Sequence, residues 1–171
     1  MKKCSEIPSH SYNEFIDNVI QSPGDLPHHF DPEFPFVLTR FEYMSDIAQA
    51  DYPHTHDSYE VLYITAGEGS HVIDFKPYPI QPQSFHFLGK GQVHFWNLSK
   101  KIEGYALVFP EDFLGFPTSD IVRAHDFAFF HSVGDAPCLT PKQGALLKVV
   151  ALLEEIEQEF NDPRARSITV L

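Results

Sequence analysis

His54, His56 and Glu60 lie an even number of residues apart within the stretch Pro-His-Thr-His-Asp-Ser-Tyr-Glu-Val-Leu-Tyr-Ile-Thr-Ala-Gly, residues 53–67. In an extended strand, alternate side chains leave the same face, so one face carries two imidazoles and a carboxylate. The same phase runs on into Leu62 and Ile64, which predicts a surface polar at the mouth of a cavity and apolar deeper in, the usual lining of a small-molecule site. A distant segment, Gly91-Gln-Val-His-Phe-Trp, supplies a third imidazole, His94, with Trp96 in its phase. Three imidazole nitrogens and one carboxylate suit a borderline cation such as Zn, Fe, Mn, Ni or Cu, with positions left open for water or substrate. Spacing alone does not choose the metal. Without a metal, His54, His56, Glu60, Leu62, His94 and Trp96 read as effector contacts, or the polar ones as a hydrogen-bonded cluster in a barrel mouth. Trp96 offers a flat face for stacking a sugar or ring and an indole donor as a handle; core filling is the alternative. The phase of His71 and His86 is not fixed by the pattern, and His10, His28, His29, His125 and His131 are expected to be surface or internally satisfied residues.

These side chains need a scaffold of short strands. From Phe36 the hydrophobic period is two, predicting strands over residues 36–43, 57–65, 70–75, 84–88, 94–98 and 104–109. The expected breaks are Ala66-Gly67-Glu68-Gly69, the Pro-rich residues 77–82, Gly89-Lys90-Gly91 and residues 99–103. Nothing among them resembles a crossover helix, so a mainly β sandwich or small barrel is expected rather than a parallel α/β sheet. Residues 1–35 hold five prolines and one short helical pattern near residues 13–20. They are expected to form an arm packed on the barrel, with a lid over the cavity as the sharper alternative. Residues 36–130 make the barrel, with the aromatic run 121–130 returning to cover the sheet. Residues 131–171 form a helical region. Thr140-Pro141 caps an amphipathic helix over residues 141–160, with Leu146, Val149, Val150, Leu153, Ile156 and Phe160 at helical spacing. Its apolar stripe covers the core or meets a second copy. Residues 164–171 begin as another helix and stop, which predicts a cut inside the next element of a longer protein.

Composition narrows the function classes. The chain has 171 residues, enough for one ordinary domain, and its 12 Lys plus Arg against 24 Asp plus Glu give a net charge of -12. So acidic a chain lacks the footprint for holding phosphate backbones on its own. Cys4 and Cys138 form no paired motif, which predicts reduced thiols and a cytoplasmic location. No apolar h-region precedes Cys4, and no run approaches the ~18 apolar residues of a membrane span.

His54-x-His56-x3-Glu60-x6-Gly67 resembles the first motif of the cupin superfamily, and Gly91-x2-His94 the core of the second. Ala48, Gly89 and Asn97 depart from the usual pattern at turn positions. Within that superfamily the chain is most similar to the amino-terminal sensor domain of AraC-type transcription regulators. The similarity runs through His-Asp-Ser-Tyr-Glu-Val-Leu-Tyr-Ile-Thr-Ala-Gly-Glu-Gly, Gly91-Gln-Val-His-Phe-Trp, Phe109-Pro-Glu-Asp-Phe-Leu and Leu139-Thr-Pro, over about residues 36–171. The resemblance implies a cupin-like double-stranded β-helix (jelly-roll) barrel with C-terminal α-helices. It implies a small-molecule effector such as a sugar or aromatic metabolite, no required cofactor, a homodimer formed through the C-terminal helices, and DNA binding by a helix-turn-helix domain outside this chain. Members of that group commonly keep parts of the metal motif without using a metal. The alternative is a stand-alone cupin metalloenzyme, a dioxygenase, isomerase or decarboxylase, with His54, His56, Glu60 and His94 holding Zn, Ni, Fe or Mn.

Overall fold

The structure, a computed structural model, describes residues 6–19, 36–114, 127, 130 and 137–161. Most of the expected arm beyond residue 19, the aromatic run 121–130 apart from Phe127 and Phe130, and the terminal segment 164–171 lie outside the described residues.

Among the described residues, eight strands and two α-helices follow in order: β1 (Ser9–His10), α1 (Tyr12–Val19), β2 (Val37–Arg40), β3 (Thr55–His56), β4 (Tyr59–Ile73), β5 (Lys76–Pro79), β6 (Ser84–Leu88), β7 (His94–Phe109), β8 (Cys138–Leu139) and α2 (Gln143–Asn161). Short 3-10 turns at Phe41–Tyr43, Asp46–Gln49 and Glu111–Leu114 complete the elements. Strands β2-β7-β4-β6-β8 form one sheet, with β5 paired to β4, while β1 runs parallel to β3 in a small separate pair. The fold is mainly β and antiparallel, with a C-terminal helix.

The frame is the long antiparallel pair β4 and β7, which differs from the four short strands expected there. Residues 66–69 do not break the sheet, and neither do residues 99–103. The Gly-rich stretch is a set of irregular pairings inside one strand, with register shifts between Ile64 and Gly69. Gly67 and Gly69 have φ of 132° and 131° there. A Cβ on Gly67 would strike the Ile102 side chain, and one on Gly69 the Asn97 carbonyl. Glycine in a strand interior marks a bulge of this kind as readily as a turn. The Pro-rich break at residues 77–82 was likewise too broad. Pro77 and Pro79 sit in β5, opposite Val72 and Ser70, in a strand that pairs on one side with β4, where a missing N–H is tolerated.

The shifts have a consequence for facing. Along Tyr59–Ile64 the pairs are Glu60↔Val108, Leu62↔Ala106 and Ile64↔Gly104; beyond the shifts they are His71↔Trp96 and Ile73↔His94. The net slip is one residue, so β4 changes its inward set from even to odd numbers while β7 keeps the even one. The inner face gathers Leu62, Ile64, Ile73, Leu88, Trp96, Ile102, Ala106 and Val108 around the cavity. The outer face presents Leu38, Tyr63, Phe85 and Tyr105 to Leu146 and Leu153 of α2. Arg40 of β2 ties that helix down through Nε and Nη2 bonds of 2.7 Å each to Glu157, which also accepts from the Tyr105 hydroxyl at 2.9 Å. The α2 stripe is thus a core-covering face, as its spacing predicts, though Val149 within it is exposed.

Candidate functional site

The cavity lies on the inner face of the sheet and measures about 130 Å³, near the volume of an engineered cavity that admits benzene, ~150 Å³. His54, His56, Glu60, Leu62, His94 and Trp96 all line it. The polar end is built by three segments. Backbone bonds between His54 and His94 in both directions, at 3.1 and 2.9 Å, clamp the two motifs together. His56 follows in β3 and Glu60 enters from β4, after a bend at Asp57-Ser58.

The imidazole rings of His54 and His94 stand 4.3 Å apart between centroids, and His56 lies 5.0 Å from each. One ligand-capable nitrogen from each of the three lies within 4.8 Å of the others, a group that could hold a metal ion. Glu60 stands beside that group, its Oε1 3.6 Å from His56 Nε2. His54 Nδ1 lies 2.8 Å from the Tyr52 carbonyl. Because a carbonyl only accepts, Nδ1 carries the proton and Nε2 keeps its lone pair. The donor set, three imidazoles of which His54 and His94 have their Nδ1 atoms held by the Tyr52 carbonyl and His71, fits a borderline divalent cation. Any such ion would be held by His54, His56 and His94, with Glu60 at hand.

Burial disfavours charge at this end. Desolvation lowers His54, lowers His56 to about 4, and holds His94 well below the usual imidazole range. The same desolvation raises the Glu60 carboxyl to about 7, with nearby His54 pulling weakly the other way. Four buried polar atoms of cavity-lining residues have no hydrogen-bond partner: His10 Nε2, His56 Nδ1, Glu60 Oε1 and His94 Nε2. Buried polar groups are seldom left so, and a cluster of them facing one space marks a place where something binds.

The apolar end is made by Phe15, Phe41, Met44, Ala48, Leu62, Trp96, Ala106 and Val108. Trp96 is a fixed wall there. Its indole N–H donates to the Ala48 carbonyl at 3.2 Å, and its ring stacks on His71 at 3.7 Å between centroids. The indole donor expected as a ligand handle is therefore already engaged.

Several lining residues escaped the sequence reading. His10, Glu14 and Phe15 come from the arm, which does more than pack on the outside. Ser11 caps α1, accepting from the Glu14 N–H at 3.2 Å while the Glu14 carboxylate accepts from Ser11 N–H at 2.8 Å. The S-x-x-E signal for this helix start was available in the sequence. Parallel pairing of β1 with β3 then sets Phe15 into the core, 5% exposed. His71 and His86 are both fully buried, behind the cavity wall. No described helix is long and apolar enough to cross a membrane. Burial raises the Cys138 thiol to about 12, which makes it a poor nucleophile.

A comparison with curated proteins finds no match. Among solved structures, the EutQ protein of Clostridium difficile aligns with a TM-score of 0.35 at 16% identity, over 45% of this chain and 56% of that one. A predicted oxalate decarboxylase of Thermotoga maritima aligns at 0.32 and 21%, over 44% and 64%. ToxT K231A of Vibrio cholerae aligns at 0.43 and 12%, over 77% of this chain and 53% of that one. Each alignment thus spans less than two thirds of the solved chain. The family model of the AraC-like ligand binding domain matches residues 41–161, well over half of the sequence and all of the cavity-forming strands from β3 to β7. This chain belongs to the AraC-like ligand-binding domain family.

Proposed function

We propose that this chain is the effector-sensing and dimerisation domain of a transcription regulator, not an enzyme. A small molecule, of the size of a sugar or a single-ring metabolite, occupies the cavity, and its presence is relayed to a DNA-binding domain outside these 171 residues. The observation that carries the reading is the set of unpartnered buried polar atoms on His10, His56, Glu60 and His94, four residues that line one cavity. A relay needs the ligand to favour one arrangement over another. The arm offers one, because Phe15 of α1 forms part of the cavity wall and an occupant changes what that helix packs against. For pairing, α2 leaves Val149 and Leu152, three residues apart on one flank of the helix, 38% and 56% exposed. A second copy of the same helix would cover them, giving the homodimer. The DNA contact belongs to the missing domain, since the net charge of -12 gives this one no phosphate-binding face. Cytoplasmic location follows from that role.

Trp96 is the single tryptophan, so its fluorescence reports cavity occupancy directly. Titration with a panel of monosaccharides and aromatic acids should give a saturable change with one of them, and His94→Ala should weaken that response about tenfold or more. If no compound of this size perturbs Trp96, or if His94→Ala binds as wild type, the cavity is not the sensing site.

A second reading, a cupin metalloenzyme, is favoured by the three clustered imidazoles of His54, His56 and His94. Elemental analysis after reconstitution with Zn, Ni, Fe and Mn separates the two. Stoichiometric metal with turnover of a small substrate supports the enzyme; metal without turnover leaves a sensor that uses an ion.

A further inference from the structure

Behind the cavity wall, four side chains make a continuous polar thread through an apolar interior. His94 Nδ1 lies 3.1 Å from His71 Nε2, and His71 Nδ1 lies 3.1 Å from His86 Nδ1. His86 Nε2 then stands 3.4 Å from Ser84 Oγ, the longest link, and the Ser84 hydroxyl donates to the Gln81 carbonyl at 2.6 Å. His71 and His86 are 0% exposed, and Trp96 stacked on His71 holds that ring in plane. Burial keeps both rings neutral, His86 lowered to about 4 and His71 well below the ordinary range.

The directions of these bonds follow from the far end. The Gln81 carbonyl can only accept, so Ser84 gives it the hydroxyl proton and faces His86 as an acceptor. His86 then carries its proton on Nε2 and presents a bare Nδ1. His71 donates from Nδ1 to it, which leaves His71 Nε2 bare. His94 donates from Nδ1 in turn, leaving Nε2 with a lone pair. That nitrogen is the buried, unpartnered atom at the cavity. His54, with Nδ1 pledged to the Tyr52 carbonyl, arrives at the same state independently.

We propose that Ser84, His86 and His71 form a hydrogen-bond relay that fixes His94 in the Nδ1–H tautomer, committing the cavity to ligands that bring a cation or hydrogen-bond donors rather than an anionic acceptor. The lining agrees, since among the described residues it includes no Lys or Arg. The proposal rests on the reading that a small ligand occupies this cavity, and it names that ligand's chemistry: an electron-pair acceptor, whether a metal cation or the amine or hydroxyl of an organic molecule. The thread is cooperative. Each imidazole has one proton, and His71 and His86 each sit between two committed neighbours, so reversing one ring reverses the next, and removal of the Ser84 acceptor favours the opposite state. His86 would then donate inward from Nδ1, His71 from Nε2, and His94 would point an N–H into the cavity.

The test reads tautomers without any ligand. Proton–nitrogen correlation spectra of protein with nitrogen-labelled histidines should show His94 and His71 protonated at Nδ1 and His86 at Nε2. Finding the His94 proton on Nε2 overturns the proposal. Ser84→Ala should move His94 toward the Nε2–H form and weaken cobalt(II) binding, followed by visible absorption, by about tenfold or more. Ser84→Thr, which keeps the hydroxyl, should retain both wild-type properties. An unchanged His94 tautomer in Ser84→Ala overturns the relay. For specificity, n-butylamine and butyrate share a body and differ in the head group. Wild type should bind the amine or cobalt(II) in preference to butyrate, and the reverse preference, or binding of neither amine nor cobalt(II), overturns the specificity claim. Such a failure is distinct from failure of effector sensing, which Trp96 fluorescence with the panel of monosaccharides and aromatic acids decides separately.

Discussion

Glu60 is 4% exposed, with one carboxylate oxygen lacking a partner, and burial lifts its carboxyl from 4.5 to about 7. Between those values the folded protein holds a proton that the unfolded chain has released, so stability falls as pH rises through the window and stays reduced above it. A shift of this size corresponds to roughly 3 kcal/mol. Glu60→Gln keeps the shape and cannot ionise. It should therefore stabilise the ligand-free protein by about 2 to 3 kcal/mol at pH 8 and by little near pH 4.5, read from urea unfolding at the two pH values. A difference that does not change with pH would mean that Glu60 is charged in the fold at no cost. The cavity position of Glu60 was legible because His54, His56 and Glu60 precede the bulges of β4 and keep an even phase. His71 was not, since a one-residue slip between Ile64 and Gly69 changes the inward parity. No periodicity within a strand carries the location of such a slip; the glycines were its trace, and they read equally well as a turn.

At the scale of elements, α2 divides cleanly. Leu153 is 7% exposed against the outer face of the sheet, whereas Leu152, its neighbour, is 56% exposed. Leu153→Ala should cost about 3 kcal/mol, as large-to-small changes in packed sites do. Leu152→Lys should leave the unfolding free energy of the monomer within about 0.5 kcal/mol yet shift the sedimentation coefficient from that of the proposed dimer to that of a monomer. A Leu152→Lys protein that sediments as wild type would place the pairing surface elsewhere. The core-facing half of this helix was readable from a 3.6-residue period, because burial against a sheet imposes that period on the sequence. The arm was less readable. Tyr12–Val19 is short, and what brings it to the cavity is the pairing of two-residue β1 with β3 and the bond from Tyr12 N–H to Asp57 Oδ1 at 2.6 Å. Contacts between residues 45 positions apart leave no local pattern.

For the whole molecule, the decisive feature is how many histidines are buried without charge. His54, His56, His71, His86 and His94 are all shifted down by desolvation, His56 and His86 to about 4 from 6.5. His56 and His86 are neutral in the fold at pH 5 and protonated in the unfolded chain, so acid favours unfolding and the loss accumulates as pH falls from 6.5 toward 4. His56 and His86 each contribute roughly 1.4 kcal/mol per pH unit across that window, and the other three act in the same direction. Glu60 opposes them, regaining stability as it takes up its proton, but it is one group against five. Relief of the net charge of -12 also opposes them, and at physiological salt that long-range repulsion is screened within about 8 Å. Since a domain holds only about 5–15 kcal/mol in reserve, the ligand-free chain should lose thermal stability steadily below pH 6.5 and unfold before pH 4. Circular dichroism melts at pH 7.5, 6, 5 and 4 in constant salt measure this directly. A melting temperature that stays level down to pH 5 would show that the buried imidazoles take up protons within the fold. In that case the cavity would present donors, not lone pairs, to its ligand.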